Sequence, residues 1–218
     1  MGEMTEAGYL ARPEGGDGPG VLVLHAWWGL TPMFTGLCDR LADEGFVALA
    51  PDLYGGPTAT TIEQAQQLIE NFDRAAAITK IEQAVNILRG NTTAEGSKAG
   101  VIGFSLGAAF ALDASVRYYD LINAVVLFYG TDHGEYTSAR AAYQGHFAEQ
   151  DEWEAGTDID ALEAQLGVAG RDVTFYRYSG THHWFFEEDR PEYNPRAAEL
   201  AWRRTVDFLK ARLMEPAS

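Results

Sequence analysis

Residues 21–25, Val-Leu-Val-Leu-His, form an apolar run behind a glycine-rich stretch at 15–20. A short continuous run of this kind suits a strand buried on both faces. Residues 46–50, 100–104, 124–129 and 173–178 read the same way, and 144–148 reads as a shorter strand. Between these runs the apolar positions recur with the period of a helix. Phe34, Leu37, Cys38 and Leu41 share one face behind a Thr31-Pro32 start, with Gly45 as the stop. Ile78, Ile81, Val85 and Leu88 do so before Gly90, and Ala198, Trp202, Val206 and Leu209 do so after Asn194-Pro195. The words Ile62-Glu-Gln-Ala65 and Ile81-Glu-Gln-Ala84 coincide but their flanks differ, so they mark two amphipathic helices and not a repeat.

Strands alternating with helices predict an α/β fold with a mostly parallel sheet and helices on both faces, because parallel neighbours need crossover connections. No Pro/Ser-rich linker or charge block divides the chain, which is expected to form a single domain over 1–218. The connection 130–143 is too short for an inserted cap domain, so any site above the sheet should be open.

Composition narrows the function. With 46% hydrophobic residues the chain can bury a core. A net charge of −16 repels phosphate backbones and anionic lipid, so neither nucleic acid nor membrane is an expected partner. Cys38 is the sole cysteine, which excludes an internal disulfide and a thiolate metal cluster. The first 13 residues carry no apolar run of signal-peptide length, and the reading is a cytoplasmic monomer. Asn91-Thr92-Thr93 matches a glycosylation pattern that has no use in that compartment. His25, His133, His146 and the His182-His183 pair lack the spacing of a zinc site, and no metal or cofactor is expected.

The chemistry concentrates at 99–108, where a buried strand enters Gly103-Phe-Ser-Leu-Gly107 and then the small-residue stretch 108–114. This is the setting of a nucleophile elbow, in which a tight strand-to-helix turn lifts a serine above the sheet. Ser105 is the candidate nucleophile. A serine needs a base and a carboxylate that orients it. The base is sought in 178–186, just after the last strand, which holds His182 and His183. Among the acids, Asp158 and Asp160 resemble helix caps and Asp172 precedes a strand, whereas Asp151 lies beyond the carboxyl end of 144–148, on the rim that carries Ser105. Asp151 is the choice. The oxyanion donors would be the backbone N–H groups of Leu106 and of Trp27, the latter in the loop after the first core strand. Trp28, Trp184 and Phe104 are candidate pocket side chains, and His25 is given a supporting hydrogen bond.

The stretches LHAWWGL at 24–30, PDLYGG at 51–56, GFSLGAA at 103–109, GHFAEQDEW at 145–153 and GTHHWFFEEDRPEYNPRAA at 180–198 together resemble the dienelactone hydrolase family across nearly the whole chain. The resemblance implies an α/β-hydrolase fold without a large cap and a triad in the order nucleophile, Asp, His. It selects His183 over His182, because Gly180, His183, Phe185 and Phe186 fit the family's GxxHxFF frame.

Three positions depart from the dienelactone-cleaving members. Ser105 stands for their cysteine, Ala26 for a glutamate that manages the thiol, and Glu187 for an arginine that binds the substrate carboxylate. The changes agree, since a serine needs no thiolate partner and a neutral substrate needs no cation. The expectation is a serine hydrolase of small, neutral esters or lactones. Acyl transfer by the same triad and ligand binding without catalysis are the alternatives. Arg74 is the one cation considered for a hidden clamp, with a solvated helix face as its ordinary role.

Overall fold

A computed structural model describes residues 2–91 and 98–214, so Thr92 and Thr93 of the glycosylation pattern lie outside the described residues. The chain divides into two units, Met1–Ala99 and Gly100–Ser218.

In the first unit, the run at 20–24 is β3 (Gly20–Leu24), buried at every position as a two-faced strand requires. It pairs in parallel with β4 (Val47–Ala50). The crossover between them contains α1 (Pro32–Asp43), whose buried face is Phe34, Leu37, Cys38 and Leu41 with Ala42. Thr31 occupies the cap position, but its hydroxyl makes no capping bond, and Pro32 supplies the start through its fixed φ. Two strands were not foreseen, β1 (Glu3–Thr5) and β2 (Gly8–Ala11). They pair antiparallel with each other, and β2 pairs antiparallel with β4, giving the order β1-β2-β4-β3. Helices α2 (Ile62–Glu70) and α3 (Arg74–Asn91) are the two anticipated from the repeated words. Arg74 is exposed at the start of α3.

The second unit carries β5 (Ala99–Phe104), α4 (Leu106–Arg117), β6 (Ile122–Phe128), β7 (Ala142–Gln150), α5 (Gly156–Val168), β8 (Val173–His182) and α6 (Pro195–Leu213). Its strands run β5-β6-β7-β8, with β6 to β7 and β7 to β8 parallel. The small residues of α4 bury Gly107, Ala108, Ala111 and Ala114, which lets the helix approach the sheet closely. Helix α6 starts as its sequence implies: Asn194 Oδ1 accepts the Ala197 N–H at 3.1 Å, and Pro195 follows. Asp158 and Asp160 are not caps, because α5 begins earlier with Ala155 at the cap position. Asp158 instead sits in the first turn, and Asp160 pairs with Arg177 at 2.5 Å. Asp172 makes an exposed ion pair with Arg212.

Candidate active site

Ser105 connects β5 to α4 with φ 49° and ψ −111°, a backbone region nearly reserved for glycine. The turn closes because Gly103 has no Cβ. A methyl there would lie 2.3 Å from the Gly107 carbonyl oxygen and 2.7 Å from Ala108 Cα. Gly130, not singled out beforehand, is equally constrained, since its Cβ would meet the Ser105 carbonyl oxygen at 2.5 Å. The Ser105 N–H donates to the Phe128 carbonyl at 2.9 Å, which pins the turn to the end of β6. Its hydroxyl does not cap α4, so the oxygen is left to a tertiary partner.

That partner is His183, whose Nε2 stands 3.1 Å from Ser105 Oγ. His183 Nδ1 lies 2.8 Å from each carboxylate oxygen of Asp151. Two oxygens around Nδ1 assign it the proton, so Nε2 is the free acceptor facing the hydroxyl. Both side chains are about 3% exposed. The Asp151 carboxylate is itself oriented, because Oδ1 also accepts the N–H groups of Trp153 and Glu154, each at 2.9 Å. His182 points elsewhere, 44% exposed and 3.7 Å from Glu152.

The ladder between β7 and β8 explains this juxtaposition. After Ala148 pairs with Tyr178 the register shifts, and the last pairing is Gln150 with His182. Asp151 and His183 are therefore the next residues on adjacent parallel strands.

Several supports were not legible beforehand. Glu154 accepts the Thr131 hydroxyl at 2.5 Å and the Thr131 N–H at 3.1 Å, tying the loop after β6 to the loop after β7. Burial raises its pKa, the two Thr131 bonds pull the other way, and the Asp151 charge adds to the rise. Tyr129 is fully buried and lays its ring 4.9 Å from that of His183. Trp184 meets the same imidazole edge-on at 4.9 Å and packs against the half-exposed Trp153 at 5.4 Å. Among the described residues, the non-glycine positions with positive φ are Ser105, Tyr129 and Trp184, so strained backbone gathers around one imidazole.

The other anticipated residues fall as follows. Leu106 is the first residue of α4, so its N–H belongs to the unbonded, positive end of a helix. Phe104 does not line an open pocket. It is fully buried and stacks on Phe128 at 4.6 Å, because it closes β5, a strand buried at every position. Trp27 and Trp28 follow β3 in the first unit, with Trp27 half-buried, Trp28 buried and their rings 5.4 Å apart. His25 lies just past β3, fully buried. Nδ1 faces the Ala26 carbonyl at 2.7 Å, and Nε2 accepts the Leu53 N–H at 3.1 Å. Burial holds its pKa down at about 4, so it is a neutral brace.

Glu187 corrects an expectation. It stands where the resemblance put an arginine that reaches the substrate, but it is 1% exposed and accepts the Tyr129 hydroxyl at 2.8 Å. Burial is the main cause that pushes its pKa up to about 8. Cys38 is buried in α1 with its thiol pKa raised by burial, which leaves it unsuited to nucleophilic work. Among the described residues, no cluster of three His, Cys, Asp or Glu side chains could hold a metal ion, and no helix is long and apolar enough to cross a membrane.

The protein usf of Aquifex pyrophilus is 35% identical, with 96% of this chain and 98% of that protein aligned. A protein of Aquifex aeolicus strain VF5, named "Putative carboxymethylenebutenolidase", is 33% identical over 98% of this chain and all of its own length (100%). Among solved structures, a dienelactone hydrolase-like promiscuous phosphotriesterase from metagenomic libraries superposes with a TM-score of 0.80 at 23% identity, covering 94% of this chain and 91% of that one. Such superpositions define the class as an α/β-hydrolase fold, with strands and helices alternating along the chain and, among the described residues, no cap domain. The profile of the Dienelactone hydrolase family matches residues 7–213. The chain belongs to that family and is a hydrolase acting on small molecules.

Proposed function

We propose that this protein is a serine hydrolase that cleaves small, neutral carboxylic esters or lactones through an acyl-enzyme. The observation that carries the reading is the hydrogen-bonded series from Ser105 Oγ through His183 to Asp151, at 3.1 Å and 2.8 Å. Ser105 Oγ attacks the carbonyl carbon as its proton passes to His183 Nε2, and Asp151 keeps the proton on Nδ1 and steadies the imidazolium. The oxyanion that forms is met by the Leu106 N–H at the start of α4. His183 returns the proton to the leaving alkoxide, which in a lactone stays tethered. Water then attacks the acyl carbon with His183 again as base, releasing the acid and restoring Ser105.

The substrate class rests on two supports. The name of the Aquifex aeolicus relative refers to a butenolide, an unsaturated lactone, and supports the lactone bond only, since the carboxymethylene group in that name bears a carboxylate. In this chain the position four residues beyond His183 holds Glu187, buried and bonded to Tyr129, which offers neither a cation nor an exposed negative charge to a substrate carboxylate. A neutral ring or ester suits such a site. The reading includes one domain over 1–218 acting as a monomer, and the single, buried Cys38 suits a reducing cytoplasm.

A panel of p-nitrophenyl esters and neutral lactones, run beside labelling by a fluorophosphonate, tests the reading. Turnover and labelling in the wild type, both lost in Ser105→Ala, are expected. Labelling with turnover only when an alcohol acceptor is added would mean acyl transfer. Absence of labelling would sink catalysis by Ser105 and leave a ligand-binding protein.

A further inference from the structure

Glu187 presents an unexplained cost. A carboxyl group that is 1% exposed gives up its hydration, and a hydrophobic residue of similar size would fill the space without that loss. Its only side-chain hydrogen bond among the described residues comes from Tyr129. Tyr129 in turn occupies a costly backbone, φ 37°, at the end of β6, and its ring lies 4.9 Å from the His183 imidazole at an interplanar angle of 55°. Glu187 belongs to the turn that carries His183, since its N–H donates to the Trp184 carbonyl at 2.9 Å. The Tyr129 hydroxyl thus ties the loop after β8 to the end of β6, and the phenol ring sits between that tie and the base. Trp184 meets the imidazole edge-on, so the ring of His183 is held between two aromatic neighbours, one tilted and one perpendicular.

We propose that Glu187 and Tyr129 are positioning residues for the base, a buried acid–phenol pair that fixes the imidazole of His183 in line with Ser105 and Asp151. This rests on the serine-hydrolase reading above. Neither residue touches the reacting atoms. Their effect is orientation of the imidazole through the contact of the phenol ring with it. An aliphatic residue at 187 would pack but could not take the phenol hydroxyl, and the ring would lose its fixed setting.

The pair has a protonation state in which it works. The groups facing Glu187 are Tyr129 from the end of β6 and Asp189, Arg190 and Glu192 from its own loop. Burial, Asp189 and Glu192 favour the neutral acid, whereas Tyr129 and Arg190 favour the carboxylate, and the balance leaves Glu187 protonated at neutral pH. As pH rises through about 8, the acid ionises inside the core, where a charge draws water and loosens the turn. The alignment of His183 should then degrade and lower kcat, while KM, set by the substrate side of the site, holds.

The test measures kcat and KM on p-nitrophenyl acetate from roughly pH 6 to 10, for wild type, Glu187→Gln and Tyr129→Phe. Each protein is also checked by fluorophosphonate labelling and thermal unfolding. The wild type should lose kcat near pH 8. Glu187→Gln, which accepts the phenol hydroxyl but cannot ionise, should keep most of its neutral-pH kcat and lack that loss. Tyr129→Phe keeps the ring but drops the tie, and should lose about ten- to a hundredfold in kcat with little change in KM, as misplaced catalytic groups do. Its alkaline loss should move to higher pH, since the phenol bond no longer favours the carboxylate. An alkaline loss that persists unchanged in Glu187→Gln overturns the proposal, as does a Tyr129→Phe kcat equal to wild type. If Tyr129→Phe does not fold, the Glu187→Gln profile decides alone. A wild type that takes no fluorophosphonate would overturn the hydrolase reading itself, whereas normal labelling with unaltered profiles would overturn this inference only.

Discussion

Gln150 stands opposite His182 in the last pairing of the parallel ladder between β7 and β8, beyond a register shift that begins at Ala148. The shift decides which histidine meets Asp151, because successive residues of a strand point to opposite faces. Removing one residue from the irregular stretch, for example Gly180 with its φ of 70°, should draw His183 back to the place of His182 opposite Gln150 and put Trp184 in the place of the base. Esterase activity of the deletion should fall by at least about 100-fold with the fold retained, as expected for a misplaced base. His182→Ala, at an exposed position, should stay within about twofold of wild type, whereas Asp151→Asn should lose about 10⁴-fold by presenting the wrong tautomer. Steady-state kinetics beside circular dichroism check all three. A fully active Gly180 deletion would show that the register is irrelevant.

Ser105 trades stability for exposure of its hydroxyl. Ser105→Ala should lower turnover by roughly 10⁴- to 10⁶-fold, the range seen when a triad nucleophile is removed. At φ 49° and ψ −111° a Cβ is strained, so Ser105→Gly should be equally inactive yet more stable than Ser105→Ala by about 1–3 kcal/mol. Urea unfolding of the two variants measures the difference. Equal stability would argue that the elbow is relaxed.

Glu154 offers two carboxylate oxygens to two donors of Thr131 while its own N–H serves Asp151. Glu154→Gln replaces one acceptor by an NH₂ group facing a donor, leaving a part-buried polar atom unmatched. A loss of about 1–3 kcal/mol is expected from such a mismatch. Activity should fall as the Asp151 loop loosens, and Thr131→Val should lose less than Glu154→Gln because it removes only the hydroxyl. Comparing the unfolding midpoints and kcat of the two variants decides the order.

His146 and His25 should govern acid stability. Both are fully buried, and burial lowers their pKa values to about 3 and about 4. His146 Nδ1 lies 2.7 Å from the Tyr178 hydroxyl, and its Nε2 lies 3.0 Å from Gln144 Oε1 and 3.1 Å from Thr205 Oγ1. Arg204 donates to the same Tyr178 oxygen, so the phenol keeps its proton for Nδ1 and the ring is satisfied as the neutral form. A depressed folded pKa means that the unfolded chain binds the proton first. The stabilisation is therefore present above about 6.5 and is lost as pH falls through about 4 to about 3. Glu187, raised to about 8, has the opposite sign: its stabilisation is present below about 4.5 and is lost as pH rises through about 8. Unfolding free energy should pass through a maximum between these limits, and His146→Gln should flatten the acid side. An acid limb identical in His146→Gln would remove His146 from the account.

Much of the core is legible along the chain because burial writes itself as periodicity. Residues 20–24 and 99–104 are buried at every position and are apolar throughout apart from glycine. Helix α6 announces its start through Asn194-Pro195, whose capping bond is local. Strands β1 and β2, of 3 and 4 residues, carry too few positions for a period to show. Their existence depends on the edge offered by β4, which is not a neighbour in sequence.

For the candidate site, the local sequence by itself determined the elbow at Ser105, since Gly103 and Gly107 flank a turn whose demands are set within a few residues. It also named Asp151 as the acid to look for and left the base between His182 and His183, a choice made by the family resemblance. Only the tertiary structure decided their distances, because these follow from a register shift between strands that are distant in sequence. The contact between Tyr129 and Glu187 is tertiary in the same sense. Nothing near residue 129 tells that a phenol will cross to a carboxyl group 58 residues away, and nothing near residue 187 tells that its acid will be buried, with its pKa raised by that burial. Burial and charge state depend on what the rest of the fold places around a group, and one stretch of chain does not contain its own surroundings.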